Sequence, residues 1–232
     1  MNHSRQPDDQ PSPESAAVSP TRPSGSRISE AQAEVAQAFF ATAESTGFCL
    51  AGGAALIVAG AIDRTTKDID AFTHDADVPR AADALEAACR QRGWGTERLR
   101  TAETFARVVV RLGDDEVLVE LAQNMRPLRP PSASFLGPVL DVEDLAGQKV
   151  LALFTRAAPR DFADVYTLAA RFGKPGLLAL AAERDAGFDL DVFGQMMGFL
   201  DRIEDRQLPM PPEQVPMLRA FFSTWATELR SQ

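Results

Sequence analysis

The sequence predicts an α/β (α+β) protein, a mixed sheet flanked by helices with a helical C-terminal lobe, and three observations predict it. Up to about residue 122, short apolar or alternating runs suited to strands are separated by helical stretches. Two β-rich runs, 105–112 and 116–122, flank Gly113-Asp-Asp115, which signals a hairpin. Beyond Val142 every periodic stretch is helical. The 232 residues suffice for one sizeable domain with an appended lobe. The expected divisions are a disordered tail at 1–27, an α/β core at 28–140 and the helical lobe at 141–232.

Residues 1–27 are rich in Pro and Ser and nearly free of large apolar side chains, too little to offset chain entropy. A helix is expected from about Ser29 to Ser45, with Val35, Phe39, Phe40 and Ala43 in helical spacing and Gly47 ending it. Phe48–Ala51 enters the sheet, and Gly53–Ala61 forms a helix apolar all round, hence buried. Lys67–Phe72 reads as a strand, and Val78–Gln91 as an amphipathic helix closed by Gly93. Arg126–Pro138 is a proline-rich connector. Helices follow at Val142–Thr155, Arg160–Phe172 (after a break at Pro159 and closed by Gly173), Pro175–Arg184, Leu190–Ile203 and Glu213–Arg230.

The net charge of −9 argues against a general nucleic-acid binder, whose contact surface is usually basic. Seven arginines between Arg80 and Arg111 fit a solvated face better than a groove. Cys49 and Cys89 fit two buried, reduced thiols. Neither histidine has a partner at metal spacing, so zinc is not expected. The first 27 residues hold no apolar leader, and Phe48–Ile62 is shorter than the ~20 residues of a membrane span. A cytoplasmic protein without membrane contact is expected. Serine-hydrolase elbows and Walker loops are absent from the sequence.

The chemistry concentrates in Ala51-Gly-Gly-Ala-Ala-Leu56 and Arg64-Thr-Thr-Lys-Asp-Ile-Asp70. Alternation on a strand puts Asp68 and Asp70 on one face and Ile69 in the core. Two carboxylates so close repel unless a cation lies between them, so the pair reads as a divalent-metal site, with oxygen-only ligands suiting Mg²⁺ or Mn²⁺. Gly52 and Gly53 let backbone N–H groups approach a phosphate at a helix start. Glu120 interrupts Val117-Leu-Val-Glu-Leu121, where a charge is costly without a partner; a shared metal would satisfy it. Arg64 can meet a phosphate or pair with Asp63 or Asp68. Lys149 and Arg156 share a helix face, and Asp161 and Asp164 lie three apart on the next helix. Asp161 has a sufficient ordinary role as a first-turn charge.

Gly52-Gly53, Arg64-Thr-Thr-Lys-Asp68-Ile-Asp70, Lys149…Arg156 and Arg160-Asp161-Phe-Ala-Asp164, in this order over roughly residues 48–170, resemble the nucleotidyltransferase superfamily. More narrowly they resemble the AbiEii/AbiGii-type toxins and the related MenT toxins. The resemblance implies a nucleotidyltransferase-like mixed sheet and Mg-dependent transfer of a nucleoside monophosphate from an NTP to a hydroxyl of RNA (tRNA) or protein. It also implies a toxin role with a cognate antitoxin. In that scheme Asp68, Asp70 and Glu120 bind metal, Glu120 serves the acceptor hydroxyl, and Gly52, Gly53, Arg64, Lys149, Arg156, Arg160 and Asp161 or Asp164 hold the nucleotide. The chain departs from the superfamily in having Gly-Gly for Gly-Ser and Glu for the usual Asp at 120. Those departures keep open a non-catalytic nucleotide- or partner-binding module, and a small-molecule (antibiotic-type) nucleotidyltransferase is a further alternative.

Overall fold

The structure, a computed structural model, describes residues 27–231. The expected tail, with His3, therefore lies outside the described residues except for Arg27, whose guanidinium binds Asp63 at 2.7 Å. Helix α1 (Glu30–Phe40) starts where Ser29 and Gln32 form a reciprocal capping box. It ends earlier than expected: Ser45 falls in a separate 3-10 turn, Ala43–Ser45. Gln32 also donates its amide to the Thr66 carbonyl, tying α1 to the loop that precedes the acidic strand.

Strand β1 (Cys49–Ala51) runs straight into α2 (Gly52–Val58), and a loop leads to β2 (Asp68–Thr73). Helix α3 (Val78–Gln91), capped by Asp77, returns the chain to β3 (Gly95–Ala102), β4 (Phe105–Leu112) and β5 (Asp115–Gln123). The hairpin signal is realised as a two-residue turn: Leu112 pairs with Asp115, and Gly113 adopts φ 56°. Strand β3 is a run the periodicity left unassigned, because at the sheet edge most of its side chains meet solvent and the sequence shows no apolar alternation. Within the expected connector sits β6 (Ser132–Ala133), and β7 (Pro138–Val139) begins at its last residue.

These strands form one seven-stranded sheet in the order β3-β4-β5-β2-β1-β7-β6. β2 is parallel to β5 and β1 to β7, and the other pairs are antiparallel. Helices α1 and α3 cover one face. Val35, Phe39 and Leu85 are fully buried, as are the inward Val108, Val110, Val119 and Leu121 of β4 and β5. Each such side chain stabilises the fold by roughly 1.5–3 kcal/mol. Asp68, Asp70, Leu118 and Glu120 alternate with those core residues and occupy the opposite face.

The C-terminal helical segment comprises α4 (Val142–Arg156), α5 (Pro159–Arg184), α6 (Leu190–Met197) and α7 (Val215–Arg230). Gly173, at φ 67° and ψ 164°, breaks α5 where the sequence places Gly173 and Pro175. Phe162, Phe193, Phe222 and Trp225 build its core with edge-to-face contacts. Among the described residues no helix is long and apolar enough to cross a membrane. Both cysteines are buried and free, and burial pushes each thiol's pKa up.

Candidate active site

The end of β1, the start of the antiparallel β2, helix α4 and the first turn of α5 meet across a cleft with a cavity volume of about 380 Å³, within the range of small-molecule sites. Gly52, Gly53, Arg64, Asp70, Glu120, Lys149, Arg156 and Arg160 all line it. Asp68 stands beside it, its Oδ2 accepting from Arg160 at 3.1 Å. Asp161 and Asp164 lie behind the lining, fully buried.

Register explains the sheet side of the cleft. Ala51 pairs with Asp70, Asp70 with Glu120, and Glu120 with Arg107, so a single row crosses β1, β2, β5 and β4. Gly52 turns the chain out of β1 at φ 61°, a left-handed conformation natural to glycine. A Cβ at that position would overlap the Asp70 carboxylate. Glycine is therefore required twice, by the bend and by the carboxylate resting against its Cα. At Gly53 a Cβ would lie 3.1 Å from Arg64 Nη2 and 3.2 Å from Thr66 Oγ1, so the second glycine admits a guanidinium beside the helix start.

Asp70 is the electrostatic focus of this row. Its carboxyl pKa is raised to about 6, by burial first and then by the charges of Glu120 and Asp68, against the opposing pull of Lys149 and Arg160. Glu120 turns to Arg107 Nη2 at 2.5 Å. Among the described residues, no three or more His, Cys, Asp or Glu side chains gather as a metal-ligand set. Arg107 is a partner for the Glu120 charge that the sequence reading did not name. Asp68 and Asp70 do share the outward face of β2, and the negative charge crowded on Asp70 suits a cation with oxygen ligands.

The helical side supplies positive charge held from behind. Lys149 is nearly buried, at 9% side-chain exposure, and its Nζ lies 2.8 Å from Asp164 and 3.8 Å from Asp161. Arg64 forms a two-pronged pair with Asp164, Nε at 2.7 Å and Nη2 at 2.8 Å. This corrects the expected pairing of Arg64 with Asp63 or Asp68: Asp63 is taken by Arg27 and Asp68 by Arg160. Arg156 grips Asp161 in the same two-pronged way, at 2.8 and 2.9 Å, which raises the arginine's pKa. Burial alone would raise the pKa of Asp164, but Arg64 and Lys149 hold it below the usual carboxylate range. The two aspartates thus act together, each anchoring a different arginine and both facing Lys149.

Thr66, Phe72, Asn124, Met125, Gln148, Thr155 and Asp185 line the same cleft and were not singled out by sequence reasoning. Leu145, Gln148, Lys149, Ala152, Thr155 and Arg156 follow helical i, i+3, i+4 spacing on α4, so the face carrying Lys149 could have disclosed Gln148 and Thr155. Asp185, the residue that caps α5, gives no local signal. Arg107 was visible only as one of seven scattered arginines, because its register with Glu120 is a property of the sheet.

A model of the family described as nucleotidyl transferase AbiEii toxin, type IV TA system, matches residues 36–216. Among solved structures, JHP933 from Helicobacter pylori aligns with a TM-score of 0.56 at 18% identity, covering 88% of this chain and 96% of that one. A candidate nucleotidyltransferase from H. pylori aligns with the same TM-score at 17% identity, covering 85% and 94%. At such identities the likeness is one of fold. No curated protein gives a significant sequence match.

Proposed function

The chain belongs to the AbiEii nucleotidyl transferase family, and from that premise we propose that the cleft moves a nucleoside monophosphate from an NTP to an acceptor hydroxyl, using a divalent cation, in the service of a toxin. The observation that carries this reading is the division of charge across the cleft. Asp68, Asp70 and Glu120 stand on the sheet side, Lys149, Arg156 and Arg160 stand on the helical side, and Arg64 reaches in from the loop before β2 to pair with Asp164.

A triphosphate needs cations aimed at its oxygens before the reaction begins, since reorganisation during the reaction adds to the barrier. Asp161 and Asp164 keep Arg64, Lys149 and Arg156 in place for that task. Backbone N–H groups at the start of α2 add donors beside the same phosphates. Mg²⁺ or Mn²⁺ held by Asp68 and Asp70 would supply charge neutralisation and polarise the α-phosphorus. In the reaction a bond forms from the acceptor oxygen to the α-phosphorus, the α–β phosphoanhydride bond breaks, and pyrophosphate leaves. Glu120, with one oxygen engaged by Arg107, offers the other to the acceptor's proton.

Incubating the protein with each radiolabelled NTP, Mg²⁺ and total cellular RNA or protein tests the reading, with Asp70→Asn as control. Label in RNA or protein from wild type alone supports it. Label on an aminoglycoside-like small molecule would select the antibiotic-type reaction, and tight NTP binding without transfer would select a binding module. An antitoxin partner and a cytoplasmic location belong to the same proposal, as does the division into a core at 28–140 and a lobe at 141–232.

A further inference from the structure

The row of paired residues next to the acidic one is apolar throughout: Cys49 pairs with Phe72, Phe72 with Ala122, and Ala122 with Phe105. Phe72 follows Asp70 by two residues, so it stands on the same face of β2, about 6.5 Å further along the strand. Its ring is half-buried, and among the described residues no other ring packs against it. A second cavity, of about 410 Å³, adjoins the cleft here, and Phe72, Asn124, Met125 and Gln148 line both. Its far wall is the connector at 126–131, which is held in place by Asp144. That carboxylate accepts from the backbone N–H groups of Leu128 and Arg129 at 2.9 and 3.2 Å.

Helix α4 repeats this change from charged to apolar. Arg156, at its C-terminal end, carries a charge that reaches Asp70 and Glu120, whereas Leu145 and Gln148 lie two to three turns back. The cleft is therefore ionic at one end and apolar at the other, where two amides face it. Among the described residues the Gln148 amide has no partner. Asn124 Oδ1 accepts from the Met125 N–H at 2.7 Å, which leaves its NH₂ group unengaged. We propose that the chamber beside Phe72 is the nucleobase subsite of the NTP, and that Gln148 and Asn124 determine which base it takes. The base lies on the Phe72 ring, its edge meets the two amides, and the ribose spans the interval from Phe72 to Asp70. Asn124 offers donors alone, while Gln148 offers a donor and an acceptor. A base edge with an acceptor facing Asn124 is accepted, and one with only a donor there leaves polar groups unpaired and is refused. This subsite rests on the transferase reading for its ligand and on the shared wall of the two cavities for its place.

The test titrates each of the four NTPs, and inorganic tripolyphosphate, into the full chain with Mg²⁺, followed by calorimetry. Wild type binds its preferred NTP more tightly than tripolyphosphate and discriminates among the four. Phe72→Leu weakens NTP binding by about tenfold, as expected for one lost stacked base. Gln148→Ala narrows the spread among the four NTPs by about tenfold, as expected for one lost amide contact to a base edge. Neither variant changes the affinity for tripolyphosphate, which also shows that both are folded. Four outcomes sink the subsite and leave the transferase reading standing. They are equal binding of NTP and tripolyphosphate by wild type, equal binding of all four NTPs, a variant that behaves as wild type, and a variant whose tripolyphosphate affinity falls as far as its NTP affinity. If wild type binds neither NTP nor tripolyphosphate, the transferase reading falls and the subsite falls with it.

Discussion

Asp70→Asn separates stability from catalysis, and the structure gives the size of the effect. In the metal-free protein the carboxyl titrates near 6, against an ordinary 3.8. An acid whose folded pKa is raised holds its proton more tightly when folded, so its ionisation costs stability. Below about pH 3.8 the group is protonated in both states and the cost vanishes. It grows as pH rises toward 6 and is complete above it, at about 3 kcal/mol. Asparagine keeps the shape and removes the charge that Glu120 and Asp68 oppose. In chelator at pH 8 the variant should therefore be more stable than wild type by roughly 2–3 kcal/mol. That is about 4–12 °C in melting temperature for a chain of this size. Urea denaturation from pH 4 to 8 should show the two curves converging at the acid end. Mg²⁺ should then raise the stability of wild type and leave the variant nearly unchanged, and nucleotide transfer by the variant should be abolished. Equal stability at pH 8, or a gap that ignores pH, would refute the electrostatic reasoning. Equal transfer by both proteins would refute the catalytic one.

Gly52→Ala should lower stability by at least about 1–2 kcal/mol from the positive φ alone, with the overlap against Asp70 adding to it. Its melting temperature and pyrophosphate release should fall together. Asp164→Asn strips Arg64 and Lys149 of their shared anchor and should cost about 3–5 kcal/mol at pH 7 by urea denaturation. Because the pKa of Asp164 is depressed, its contribution is present above pH 4, and the difference between variant and wild type should shrink as pH falls further. Lys149→Met fits the half-apolar surroundings of Leu145, Val150 and Leu153 but removes the proposed phosphate contact. NTP affinity by calorimetry should drop about tenfold or more, and an unchanged affinity would remove Lys149 from the site.

Much of the cleft was legible because its residues lie in short local patterns. Asp68 and Asp70 share a face by strand alternation, and Lys149 and Arg156 by helical spacing, and both patterns survive folding unchanged. Pairings between distant segments were not legible. Arg64 finds Asp164 a hundred residues away because the turn before β2 faces the start of α5. The two nearest acids that sequence proximity suggested, Asp63 and Asp68, are drawn to Arg27 and Arg160 instead. Strand β3 was invisible for a related reason, since an edge strand with solvent on most sides has no apolar period to show.

The division of labour between sheet and lobe follows from these long-range pairs. A cation exposed in a cleft loses strength to water and entropy to its own rotamers. Anchoring Lys149 and Arg64 on Asp164, at 1% side-chain exposure, fixes both cations, and Arg64 is held further by its Nη1, which donates to the Thr65 carbonyl at 2.9 Å. Yet Asp164 is carried by α5 and Arg64 by the loop before β2, so the same ion pair that orders the cleft's cations also ties α5 to the sheet. Stability and function are then coupled at one carboxylate. Any loosening of the lobe should weaken NTP binding before it disturbs the sheet, and NTP, by loading Arg64 and Lys149 from the front, should stiffen the junction between them.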